Sequence, residues 1–169
     1  MKRYLIILFA TCLLTGCSKE DNISVVTLDN EIKFNQEFQT YYVYGFLFSK
    51  AKKVSTLDTP PPDITLDDNG TQNNIMLQTN NNLNSFYKVG EFKNAASAQQ
   101  EFDKLTSFTV PQWVVWADSL KANQIWLFRT NSETYAKIRI VDTKFGNEYS
   151  ECTFEWAYQP DGTLTFPGK

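Results

Sequence analysis

The chain has 169 residues, enough for one domain and too few for a second module with its own core. Hydrophobic residues make up 42%, aromatics 15% and charged residues 21%, the composition of a folded globular body, not of a disordered or collagenous chain. There is no histidine, which excludes Ser-His-Asp and Cys-His catalysis, histidine proton shuttles, histidine-containing zinc sites and His-ligated haem.

Lys2 and Arg3 form a basic start, Tyr4 to Leu14 is a mostly apolar run, and small residues Thr15 and Gly16 lead into Cys17. The apolar run is eleven residues long, whereas a spanning helix needs about 20, so it reads as the core of a removable secretory signal. Leu14-Thr15-Gly16-Cys17 resembles the bacterial lipobox, which implies cleavage before Cys17 and lipid on its sulfur. Two or more acyl chains suffice for durable anchoring, so the expected protein is tethered to a membrane yet water-soluble in body. Ser18-Lys19-Glu20-Asp21 resembles the export signal that carries Bacteroidota lipoproteins to the outer leaflet of the outer membrane, with a plain charged tether as the alternative. The expected division is 1–16 signal peptide, 17–38 lipidated tether and 39–169 a single β-rich domain. Losing Lys2 and Arg3 with the signal takes the formal charge from −3 to −5, which disfavours nucleic acid as a partner.

Of the three cysteines, Cys12 leaves with the signal and Cys17 takes the lipid, so Cys152 alone stays in the domain and no internal disulfide can form. It alternates with Phe154 and Trp156 on the apolar side of a strand and reads as a small buried hydrophobe.

In chain order, Tyr41 to Ser49 (YYVYGFLFS) predicts a central strand, with a possible bulge at Gly45. The prolines 60–62 force extended geometry before a short strand at Ile64 to Leu66. Asn69-Gly70 predicts a hairpin turn; the spacing of Asp67 and Asp68 does not fit an EF-hand, and no metal site is expected. Seven of the fourteen asparagines fall between Asn69 and Asn84, so Ile75 to Thr79 and Ser85 to Val89 read as short strands between loops. The single predicted helix is Ala95 to about Leu105, capped by Asn94 or Ser97, with Ala95, Ala98, Phe102 and Leu105 inward and Gln99, Glu101, Asp103 and Lys104 outward.

From residue 124 the pattern predicts a four-strand antiparallel meander: Gln124 to Arg129, Thr134 to Asp142, Glu151 to Tyr158 and Thr163 to Phe166. Its alternation places Ala136, Ile138 and Ile140 inward and Tyr135, Lys137 and Arg139 on a wet face. The expected fold is mainly β, an antiparallel sandwich-like domain with a C-terminal meander and one short helix, with α+β as the alternative.

Three stretches carry a resemblance: Asp63-Ile64 after the early aromatic strand, Leu77-Gln78-Thr79-Asn80, and Ile125 to Ile140 (IWLFRTNSETYAKIRI). Together they resemble the HmuY-like surface lipoproteins of the Bacteroidota, over roughly residues 40 to 166. The resemblance implies an all-β domain and haem held between axial His or Met side chains. Met76 is the methionine left for that role, and one thioether cannot supply two axial ligands. A tyrosinate from Tyr41, Tyr42 or Tyr44 is a further iron donor in principle, against a core role for the same residues.

Two binding readings follow, both non-enzymatic. One is an apolar or planar ligand such as a porphyrin, walled by aromatics around Pro111, namely Phe108, Trp113 and Trp116. The other is a glycan, with Trp113 or Trp116 stacking on sugar rings and asparagine loops donating hydrogen bonds, as in an accessory lipoprotein of a nutrient-uptake system beside an outer-membrane transporter. Against these stand a structural surface protein and a carboxylate-pair hydrolase, the latter with no residue pair marked out for it.

Overall fold

The computed structural model describes residues 24–70, 74–81 and 83–166. The expected signal and the lipidation site at Cys17 lie outside the described residues, and no described helix is long and apolar enough to cross a membrane.

The protein is mainly β and antiparallel. Among the described residues eleven strands form in chain order: β1 Ser24–Asp29, β2 Lys33–Asn35, β3 Thr40–Tyr42, β4 Tyr44–Leu47, β5 Lys52–Ser55, β6 Thr65–Asp67, β7 Met76–Gln78, β8 Phe86–Glu91, β9 Gln124–Arg129, β10 Tyr135–Lys144 and β11 Glu151–Gln159. An α-helix, α1 (Ala95–Lys104), lies between β8 and β9. Five strands make the main sheet in the order β1-β11-β10-β9-β8, and β2-β3, β4-β5 and β6-β7 are two-stranded ribbons.

Register explains the layers. Ile138 sits opposite Trp126 and Trp156, and Ile140 opposite Phe154, so one face of the sheet is continuously apolar. Phe46, Phe48, Ile64, Leu66 and Leu77 of the ribbon region pack onto that face as a second layer. Single bridges stitch this layer together, Phe46 to Ile64 and Leu77 to Ala117, and Val114 returns it to Phe86 in the main sheet. The arrangement is sandwich-like. Its core is rich in phenylalanine: Phe48, Phe86, Phe128 and Phe154 are fully buried, each contributing roughly 2–3 kcal/mol of transfer free energy.

The opposite face of the sheet is not wet, which corrects the alternation reading. Helix α1 lies across it through Ala98 and Phe102, and Lys137 and Arg139 are buried beneath it, 3% and 9% exposed. Their charges are answered in place. Lys137 Nζ donates to the helix-end carbonyls of Phe102 (2.6 Å) and Leu105 (3.1 Å), and Arg139 Nε pairs with buried Glu155 at 2.8 Å. Gln99, expected outward, donates to Glu155 from the helix at 3.2 Å, while expected-inward Ala95 is exposed. Asn94 is the N-cap, and Ser97 is the third helical residue of its capping box, not an alternative cap.

Three further expectations change. The stretch Tyr41 to Ser49 breaks at Val43 into β3 and β4 and ends in a 3-10 turn, Phe48–Lys50. Gly45 is a close approach and not a bulge: a Cβ there would lie 2.2 Å from the Ile64 carbonyl oxygen and 2.5 Å from Pro62. The meander has three strands, because Thr163 to Phe166 leaves the sheet and Thr165 bridges Ser107 beyond the helix. The fold also begins before residue 39: Ser24–Asp29, assigned to the tether, is an edge strand whose Leu28 is fully buried.

Candidate functional site

At the end of the sheet where the β9–β10 turn meets the C-terminus of β11, a cleft of about 350 Å³ opens between the two layers. Its walls draw on several segments distant in sequence, among them Leu47, Ser49 and the prolines 60–62. Asp63 follows the prolines 60–62, Thr79 and Asn80 follow β7, and Thr130 to Thr134 is the turn between β9 and β10. Tyr158, on the inner face of β11, forms part of the wall.

Much of this cleft is held open by its own hydrogen bonds. Thr130 Oγ1 and Thr134 Oγ1 lie 2.7 Å apart, and Tyr158 donates its hydroxyl to Thr134 at 2.9 Å. The backbone N–H groups of Ser132 and Thr134 donate to Thr130 Oγ1, both at 3.2 Å, which fixes the turn. Asn81 accepts from Leu83 N–H and from Ser85 Oγ, both at 3.0 Å, and so shapes the loop after β7. These are the local bonds that make Asn, Ser and Thr turn residues.

Other polar groups on the walls are left over. The side chains of Ser49, Asn80, Asn131 and Ser132 are exposed and, among the described residues, make no hydrogen bond to the protein. Two are amides and two hydroxyls, so each can both donate and accept. Asp63 is the one carboxylate on the wall among the described residues. It accepts from Phe48 N–H at 2.8 Å, and burial pushes its carboxyl above the usual carboxylate range, partly offset by that hydrogen bond.

The residues singled out from sequence do not gather here. Met76 is 8% exposed, opposite Asp67 in the β6-β7 ribbon, and lines neither this cleft nor the one at the opposite end. Trp113 is half-buried on the helix side of the sheet, stacked on Tyr135 with centroids 6.1 Å apart and with the Arg129 guanidinium 5.0 Å from its ring. Trp116 is 54% exposed, and Phe108 stacks on Phe166. Phe108, Trp113 and Trp116 thus do not line this cleft. Tyr41 is 71% exposed, which corrects its assignment to the core, and Tyr42 and Tyr44 pack edge-to-face on each other 5.6 Å apart.

Cys152 is fully buried, and burial pushes its thiol up to about 12, in keeping with an inert core residue. No group of three or more Cys, Asp or Glu among the described residues could hold a metal ion. Sequence reasoning missed the cleft itself. Its signal was the clustering of Asn, Ser and Thr in two loops distant in sequence, which become neighbours only when the β6-β7 ribbon lies over the end of the sheet.

No protein-family model matches this chain, and no curated protein matches it.

Proposed function

We propose that this is a lipid-anchored cell-surface protein whose β domain binds a small, uncharged, hydroxyl-rich ligand, a saccharide, without transforming it. The observation that carries the reading is the cleft wall: four amide and hydroxyl side chains that make no hydrogen bond among the described residues, set beside the prolines 60–62 and the ring of Tyr158. Sugars present hydroxyls around their rim and C–H bonds on their faces. Amides and hydroxyls serve the rim, and proline and tyrosine surfaces serve the faces. The anchor rests on the sequence pattern ending at Cys17, and the binding body on the mainly β, antiparallel fold.

The chemistry of the wall favours a glycan over haem. Among the described residues no thioether or thiol lines the cleft, and its tyrosine hydroxyl is engaged with Thr134. Among the described residues the wall carries one carboxylate, Asp63, whereas glycoside hydrolysis works with a pair. The test is calorimetric titration of the water-soluble chain from residue 18 with a panel of neutral mono- and disaccharides, alongside absorbance titration with ferric haem. We expect heat from at least one saccharide, reduced about tenfold or more in Asn131→Ala and Asn80→Ala, and no Soret shift. A Soret shift with no saccharide bound would overturn the choice of ligand.

A further inference from the structure

A second surface lies at the other end of the sheet, where β10 and β11 are joined and where β1 ends. There the β2-β3 ribbon pairs only with itself and carries Ile32, Phe34, Phe38 and Tyr41 at 70%, 41%, 63% and 71% exposure. Phe34 and Tyr41 face each other across the ribbon, edge-to-face at 5.0 Å, so the aromatics form an organised surface. Contiguous exposed apolar groups on such a ribbon mark an interaction site more often than isolated ones do.

Beside the ribbon is a cleft of about 650 Å³, into which Ile32 and, from the β10–β11 loop, Tyr149 project their surfaces. The loop is tied to the end of β1 through Ser150 N–H, which donates to Asn30 Oδ1 at 2.6 Å. Among the described residues the charge lining that cleft has one sign, with Glu31, Asp67, Asp68 and Glu148 and no lysine or arginine. Lys33 reaches Glu31, leaving the balance acidic.

We propose that this end of the domain docks a basic, partly apolar face of another protein. The aromatic ribbon supplies the buried contact area, and the neighbouring carboxylates select a partner of opposite charge. A second copy of this acidic chain would set like charges against each other, and an anionic lipid surface would be repelled.

The register gives the direction. Ser24, where the described chain begins, lies opposite Trp156, three residues from the Gln159 end of β11, whereas Asp29 lies opposite Glu151 at the other end. The ten residues of β10 place the two ends roughly 30 Å apart. Seven residues from Cys17 to Ser24 reach at most about 25 Å. With the anchor of the proposed function in place, on which this placement alone rests, the tether joins the domain nearer the saccharide-cleft end than the ribbon end.

The test places the photo-reactive residue p-benzoylphenylalanine at position 38 of the full chain in its native cell envelope, and at position 116 as an off-patch comparison. We expect a discrete protein adduct from position 38 and none from 116. Its yield should fall about tenfold in Glu31→Gln/Glu148→Gln, in Phe34→Ser/Tyr41→Ser, and on raising salt from about 0.05 to 0.5 M. Adducts with lipid, adducts with a second copy of this chain, an adduct insensitive to both salt and the charge variant, or no adduct would each overturn the proposal. Saccharide titration of the same variants keeps the two sites apart, since their cleft residues are untouched.

Discussion

Lys137 separates a decorated sheet from one sealed by a helix. On a wet face it would be an ordinary surface lysine, and Lys137→Met would change stability by no more than about 0.5 kcal/mol. In the structure its ammonium is buried, bonded to the carbonyls of Phe102 and Leu105, and 4.6 Å from the centroid of the Phe102 ring. A hydrogen bond from a charged donor is worth about 1.5–3 kcal/mol net, and a desolvated cation over an aromatic face adds about 1–2 kcal/mol. Both carbonyls share one ammonium, and methionine recovers the cost of burying the charge, so the terms do not simply add. We expect Lys137→Met to destabilise by about 2–4 kcal/mol, lowering Tm by roughly 10 °C for a domain of this size. Urea unfolding followed by both far-UV circular dichroism and tryptophan emission measures it, with amide exchange across 95–105 as a local readout. A variant within 0.5 kcal/mol of the parent, with helix amides equally protected, would refute the argument that this cation holds α1 to the sheet.

Gly45→Ala should destabilise by about 2–3 kcal/mol or more, because its Cβ would be driven into the Ile64 carbonyl and Pro62; thermal unfolding reports it. Asp63→Ala should cost about 1–2 kcal/mol by stranding the Phe48 N–H, whereas Asp63→Asn keeps an acceptor and should be no less stable than the parent at pH 7. The sign with pH follows from the raised carboxyl: the folded state holds that proton more tightly, so this contribution is present below the unfolded value and is lost as pH rises through the folded one. Asp63→Asn should therefore gain on the parent as pH rises from about 4 to 7, and parallel denaturation series at both pH values check it. In the chain from residue 18, Cys152 should resist a thiol-specific chromogenic reagent at pH 8 until the protein unfolds, whereas rapid labelling of the folded protein would contradict its burial.

The strands between residues 124 and 159 were written in the sequence, whereas β1, β2 and β5 were not. Gln124–Arg129 was legible to the residue, β10 and β11 to within two residues at any end, and the helix from its Asn94 start, because period-2 and period-3.6 patterns and cap chemistry are local. The absence of histidine and the pattern running to Cys17 are likewise properties of the chain alone. Alternation says that Lys137 and Arg139 share a side of their strand, but not what lies over that side. Only the helix arriving from residues 95–104 converts a wet face into a buried one, and Glu155 on the neighbouring strand makes the burial tolerable. The tertiary structure alone likewise decided where Trp113, Trp116 and Met76 sit, and brought Asn80, Asn131 and Asp63 to one cleft. Contacts between segments this far apart depend on how layers stack, and no local period encodes that.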